Sequence, residues 1–287
     1  MTGATGFLGS SVAKKLLEAG DDVHALKRPS SKFDRLAEVV KHITWLDLES
    51  LAIENVFTSR KFEAVLHCAT NYGLSNVDPI RTIEANLILP IQLLHAAAKS
   101  GVGKFLNTDT VLDKRITHYA LSKHQFKEWL KSYENCICAI NLALQHFYGP
   151  ADDDSKFVTS IIKRLLAKER EIELTLGEQT RDFIYIDDVA EACCTALKAG
   201  ASRPGYCHYE VGSGTPVSIR NLVELAAEIV GGGETSLNFG ALPYRDFEVM
   251  RVVTDTSEIE ALGWKPKTSL IDGLKKTIIQ EKSRLYG

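Results

Sequence analysis

The chain has no apolar run approaching the roughly 20 residues needed to cross a bilayer. Its opening residues show no charged-then-apolar secretion pattern, so a cytoplasmic protein without a membrane partner is expected. There is no long basic tract and no interleaved basic and aromatic stripe, and the net charge is -3, which speaks against a nucleic-acid partner. The six cysteines (Cys68, Cys136, Cys138, Cys193, Cys194 and Cys207) form no C-x-x-C pair and read as reduced core residues. The eight histidines lack metal-ligand spacing. His67 sits in an apolar run and reads as a core histidine with its polar atoms satisfied, so no metal is expected. Internal repeats and low-complexity tracts are absent.

At 287 residues, 45% hydrophobic and 25% charged, the chain suits one large core or two subdomains. Short apolar runs at 23–26, 43–46, 64–68, 104–107 and 137–142 alternate with helical stretches, notably 80–99 and 119–134. This alternation predicts an α/β fold, a doubly wound parallel sheet of the Rossmann type. After Tyr148-Gly149-Pro150 the pattern loosens. Residues 1–150, with parts of 178–205 and 239–256, are expected to form a dinucleotide-binding domain. Residues 151–287 are expected to form most of a smaller, discontinuous, mixed α/β substrate subdomain. The glycines at 231–233 read as a helix stop and turn.

The chain opens Thr2-Gly3-Ala4-Thr5-Gly6-Phe7-Leu8-Gly9 and runs into a helix whose apolar positions are Val12, Ala13, Leu16 and Leu17. Gly3 permits a tight turn, Gly6 lets backbone approach a pyrophosphate, and Gly9 allows close helix packing. Gly3, Thr5, Gly6, Phe7, Leu8 and Gly9 are therefore the expected dinucleotide cradle. An ordinary strand-to-helix turn is the bland alternative. A strand should precede the first glycine, yet Met1 stands directly before Thr2. The central strand is therefore expected to be missing here, with a natural polypeptide that begins further upstream.

Asn107-Thr108-Asp109-Thr110 closes an apolar run and is followed by Tyr119-Ala120-Leu121-Ser122-Lys123. Four residues apart on a helix, Tyr119 and Lys123 share one face. A neighbouring ammonium stabilises phenolate, so Lys123 is expected to lower the Tyr119 pKa from its ordinary value of about 10. Thr108 would sit at the carboxyl end of its strand, where open α/β sheets bind ligands. A hydroxyl, a phenol and an ammonium are the groups that carbonyl reduction beside a nicotinamide needs. Thr108, Tyr119 and Lys123 are the candidate catalytic residues.

Taken together, these motifs resemble the extended short-chain dehydrogenase/reductase family, the NAD-dependent epimerase/dehydratase group, over nearly the whole chain. The resemblance adds Asp47-Leu48 on the adenine side, Cys68-Ala69 at a strand end, Asn86, and Tyr119 and Lys123 as cofactor contacts. It also implies substrate contacts at Thr70, Thr108, Asp109, Thr110, His146, Lys156, Phe157, Arg181 and Arg245. The two arginines are implied to hold a pyrophosphate, for which a guanidinium fork is suited; the alternative is a salt bridge to Asp182 or Asp246. Segments 107–110, 177–183, 239–241 and 245–250 are similar to those of reductases of CDP-linked 4-keto-3,6-dideoxyglucose. A CDP sugar is therefore the favoured substrate and a dTDP sugar possible, in a route to surface lipopolysaccharide. Relatives pair through helices like 80–99 and 119–134, which implies a homodimer.

Four departures from the family pattern bear on the chemistry. Where dehydratases carry a glutamate base and epimerising reductases a cysteine, this chain carries Thr110, which at its ordinary acidity cannot take a proton from carbon. The stretch between Thr108 and Tyr119 is short. Ala143 and His146 replace a common arginine and asparagine. At the end of the second strand the acidic residue that binds an NAD ribose is replaced by Lys27-Arg28, which suits a 2′-phosphate. NADP(H) is therefore the expected cofactor, with NAD(H) the alternative. A nucleotide-sugar 4-epimerase and a non-catalytic dinucleotide-binding regulator are the rival readings.

Overall fold

The computed structural model describes residues 1–49, 52–73, 78–199, 203–231 and 233–286. Gly232 of the expected helix stop and residues 200–202 of the segment 178–205 lie outside the described residues. The first apolar runs become β1 (His24–Lys27) and β2 (Thr44–Asp47), paired in parallel. The next become β3 (Ala64–His67), β4 (Lys104–Thr110) and β5 (Cys138–Leu144). With β10 (Gly205–Val211) they form a parallel sheet in the order β10-β5-β4-β3. Register sets Asn107 opposite both His67 and Asn141.

Between β1 and β3 lie Met1 and Thr2. Thr2 N donates to Leu66 O at 2.9 Å, Cys68 N to Thr2 O at 3.3 Å, and Leu26 N to Met1 O at 2.9 Å. Two residues thus occupy the row in which the parallel order calls for a strand, and Thr2 makes a single parallel bridge to His67. Among the described residues no strand precedes the glycine turn. Beside Met1 lies a small cavity of about 30 Å³ lined by side chains such as Leu26, Val65, Phe57 and Leu93. Such an apolar lining offers water few hydrogen-bond partners.

Helix α1 (Phe7–Glu18) buries Leu8, Val12, Ala13 and Leu16, one face at helical spacing. The expected helix over 80–99 is α3 (Pro79–Ile83), a π turn over Glu84–Ile88, and α4 (Leu89–Lys99). A π turn inserts one residue into the helical repeat and is often found where a side chain must be re-aimed; here it contains Asn86. Helix α5 (His118–Ser132) begins at Thr117, whose hydroxyl caps Ala120 N at 3.0 Å. Phe126 and Leu130 of α5, Leu93, Leu94 and Ala97 of α4, and Phe105 of β4 form one apolar core.

The chain divides into two compact units: 1–144 with 190–211 and 257–264, and 145–189 with 212–256 and 265–287. Residues 190–211 belong to the first because β10 extends the sheet beside β5. Residues 239–256, part of which the sequence places with the dinucleotide domain, fall in the second unit. There, backbone bonds such as Thr180 N to Met250 O at 2.9 Å hold them. The second unit contains parallel β6 (His146–Tyr148) with β9 (Phe183–Tyr185) and parallel β7 (Glu171–Leu174) with β12 (Ser236–Phe239). It also pairs β8 (Thr180–Arg181) antiparallel with β11 (Val217–Ser218). Its helices are α6 (Phe157–Leu166), α8 (Ile219–Val230) and α10 (Leu270–Tyr286). Gly231 ends α8 in the left-handed region at φ 76°, as a helix stop requires.

Candidate active site

In the first unit the glycine turn packs so closely that side chains are excluded. A Cβ on Gly9 would lie 2.0 Å from the Gly3 carbonyl oxygen, and one on Gly3, at φ 70°, 2.6 Å from Ala69 N. Gly6, the N-cap of α1, is exposed and brings no capping side chain, and the first turn of α1 has no acidic residue. The helix start therefore keeps backbone N–H groups and a positive dipole end available to an anion. Thr5 and Phe7 are half-buried beside it, and Leu8 is buried.

At the end of β1, Lys27 Nζ is bound to Asp47 Oδ2 of β2 at 3.2 Å, and Leu48 N donates to Lys27 O at 2.9 Å. Half of the expected cationic pair is thus paired with a carboxylate, while Arg28 is exposed. The Asp47 carboxyl is lowered, first by the Glu49 backbone N–H and then by Lys27.

The trio lies on β4 and α5. Lys123 is 2% exposed and its Nζ has no hydrogen-bond partner. Burial lowers its pKa, and Asp109 and Cys68 oppose that. A buried ammonium without an acceptor calls for a hydroxyl-bearing ligand. Together with the side-chain-free cradle it fits a dinucleotide. The Tyr119 ring lies 5.0 Å from that of Tyr72, and the Thr110 side chain is near enough to act on its hydroxyl. The phenol is raised above its ordinary value by burial, then by Tyr72 and Asp109, with Thr110 acting the other way. Burial, and not the expected lowering by Lys123, governs the phenol in the chain itself, and Tyr119 keeps its proton.

The Thr108 hydroxyl donates to His67 O at 3.1 Å. Thr110 shares its strand face because side chains two apart on a strand point the same way, and its Oγ1 also accepts Leu112 N at 3.2 Å. The structure thus brings Thr110, assigned from the sequence only as a substrate contact, to the phenol. Tyr72 was not singled out from the sequence. It lies outside any strand or helix, where no periodic pattern marks it.

Buried polar links hold this arrangement. Asn86 Oδ1 accepts Asn71 N at 2.7 Å and the Thr70 hydroxyl at 3.3 Å, while its Nδ2 donates to Ser122 Oγ at 3.0 Å on α5. Asn86 therefore acts as a bridge between the loop after β3 and the catalytic helix. Asp109, on the opposite face of β4 from Thr110, accepts Asn141 Nδ2 at 2.9 Å and Thr110 N at 2.8 Å. Cys68 is half-buried, its thiol pushed up to about 12, chiefly by burial. Ala69 N donates to Thr2 Oγ1 at 3.1 Å. His67 is held neutral by burial; its Nδ1 meets Thr2 Oγ1 at 2.9 Å, but its Nε2 has no partner. The expectation of a fully satisfied histidine holds for one ring nitrogen and fails for the other. Cys136 is exposed, unlike the buried Cys138, Cys193 and Cys194. Among the described residues, no group of three His, Cys, Asp or Glu side chains is arranged to hold a metal ion.

The second unit carries the remaining candidates. Arg181 donates through Nη1 to Thr180 O and Val249 O, each at 2.6 Å, and through Nη2 to the Glu248 carboxylate. Its ion-pair partner is thus Glu248, neither of the two aspartates weighed from the sequence. Asp182 is buried and instead accepts Ser213 N at 2.8 Å and Gly214 N at 2.9 Å, which pins that loop. Arg245 is exposed, and its charge acts on Arg181. Lys156 precedes α6, and Phe157, its first residue, is exposed. Burial lowers the Lys156 pKa, opposed by Asp152 and Asp153.

His146 is lowered from 6.5 to about 4, first by burial and then by Arg181. Below pH 6.5 the unfolded chain takes up this proton and the folded one does not, so stability falls between 6.5 and about 4. His146→Gln is expected to flatten that part of the denaturant-midpoint profile; an unchanged slope would contradict the assignment.

Residues 1–212 match the NAD dependent epimerase/dehydratase family. The chain belongs to this family and is an NAD(P)-dependent enzyme of the short-chain dehydrogenase/reductase type. It is similar to the CDP-abequose synthase of Salmonella typhimurium, 34% identical, with 97% of this chain and 96% of that one covered. The same enzyme of Salmonella muenchen is 32% identical over 97% and 96%. A solved UDP-glucose 4-epimerase of Thermotoga maritima with UDP-glucose aligns with a TM-score of 0.85 and 26% identity, over 99% of this chain and 98% of that one. Among the described residues no helix is long and apolar enough to cross a membrane.

Proposed function

We propose that the chain reduces the C4 ketone of a nucleotide-linked deoxy sugar of the CDP-4-keto-3,6-dideoxyglucose kind, in the cytoplasm, for a surface polysaccharide. The observation that carries this is the buried Tyr119 phenol, held in its protonated form, with Thr110 near it, a neutral hydroxyl where a carbon base would need a carboxylate or thiol. Bound NADPH supplies the reducing equivalent as hydride at the ketone carbon. Tyr119 gives its proton to the oxygen that becomes the alcohol, and a threonine hydroxyl orients that oxygen. Lys123 holds the ribose hydroxyls of the dinucleotide, which satisfies its buried ammonium, and its charge assists the phenol to release the proton. Arg245 neutralises the diphosphate of the substrate, and Arg181 joins it when its partner Glu248 gives way to the phosphate.

NADPH oxidation against CDP-, dTDP- and GDP-linked 4-keto sugars, with NMR of the product, tests this directly. The Lys27–Asp47 pair favours one rival, an NAD-retaining 4-epimerase, because it leaves Arg28 as the main cation for a 2′-phosphate. Interconversion of two sugars without NADPH consumption would select that rival. On the reductase reading, Arg28→Asp lowers the preference for NADPH over NADH by about tenfold or more, the scale of one charge-assisted bond. An unchanged ratio of kcat/KM for the two cofactors counts against Arg28.

A further inference from the structure

We propose that Phe247 is the platform on which the nucleobase of the nucleotide sugar stacks, an inference that rests on the substrate reading above. Its backbone stands in the left-handed region at φ 60°, and the side chain is 94% exposed. A bulky residue held at positive φ costs backbone energy and persists where its surroundings over-determine the conformation. The surroundings here do so. Glu248, beside it, pairs with Arg181, and Glu248 N donates to Arg245 O at 3.1 Å across Phe247. On the far side Arg181 Nη1 holds Val249 O at 2.6 Å.

The anchored turn presents a bare aromatic face two positions after Arg245 and two before the Val249 carbonyl that Arg181 holds, and the ring gains almost no burial in return. A flat π face beside cations matches a nucleoside diphosphate, with an aromatic base to stack and phosphates to neutralise. One residue separates Phe247 from Arg245, two steps or at most about 7 Å of chain; a ribose bridges the corresponding gap between base and first phosphate. Stacking tolerates any base, so Phe247 contributes affinity for the nucleotide and leaves the choice among bases to other groups.

The test uses the full chain and two probes, CDP and inorganic pyrophosphate, with calorimetric titration and thermal melts of the wild type, F247G and F247Y. F247G is expected to bind CDP about 5- to 100-fold more weakly, the range measured for lost base stacking. Its pyrophosphate affinity should be unchanged. Its melting temperature should hold or rise, because glycine adopts positive φ without strain. F247Y should restore CDP binding. Wild-type CDP affinity in F247G overturns the proposal, as does an equal loss of both probes, which would mean that the ring only positions the arginines. Failure of the wild type to bind any nucleoside diphosphate overturns the substrate reading and this proposal together, and is distinct from binding that F247G leaves intact.

Discussion

Tyr119→Phe should lower kcat for ketone reduction by about 10² to 10⁴ while NADPH and nucleotide affinities stay near wild type, because a positioned acid contributes on that scale. The ring keeps its packing at 5.0 Å from Tyr72, so the deletion removes the proton and little else. Burial raises the phenol, which places no loss of its proton below the ordinary phenol value of 10. The wild-type rate should accordingly show no alkaline limb from Tyr119 below that pH. Thr110→Val, which deletes a hydroxyl that acts on the Tyr119 phenol, should cost up to about tenfold in kcat, the scale of one neutral hydrogen bond. Thr108→Val instead removes a buried bond to His67 O. If Tyr119→Phe reduces ketones at a near-normal rate, the proton comes from another group and the mechanism is wrong.

Gly9→Ala should abolish dinucleotide binding and destabilise the fold by about 3 kcal/mol, a fall of roughly 6–12 °C in Tm for a chain of this size. The new Cβ would stand 2.0 Å from Gly3 O and 2.6 Å from Gly3 C. Both are backbone atoms of the turn proposed as the phosphate cradle, so relief requires that turn itself to move. Gly205→Ala is the control: nothing lies within 4 Å of its added Cβ, and its φ is not positive. A Gly9→Ala protein with wild-type Tm and undiminished NADPH binding would show that the close packing of α1 on the turn does not shape the site.

Much of the first unit was legible from local pattern. Apolar runs of strand length separated by helical periods report the parallel sheet, and glycine spacing reports the turn, because both depend on neighbours in the chain. The helix over 80–99 was legible as a helix but its π turn was not, since the interruption serves bonds from Asn86 to Asn71 and Ser122, far apart in sequence. Glu248 left a faint signal, a carboxylate three residues beyond Arg245. Nothing in that spacing tells that its partner is Arg181, 67 residues away.

The sequence alone determined the doubly wound sheet, the side-chain-free phosphate turn, and the placement of Tyr119 and Lys123 one helical turn apart. Each follows from backbone sterics or helical period acting within a short stretch. Tertiary structure decided that burial governs the phenol, which keeps its proton. It also decided that Lys27 is paired with Asp47 and that Arg181 is held by Glu248. These outcomes depend on burial and on side chains delivered by distant segments, where desolvation and charge partners replace local geometry as the governing physics.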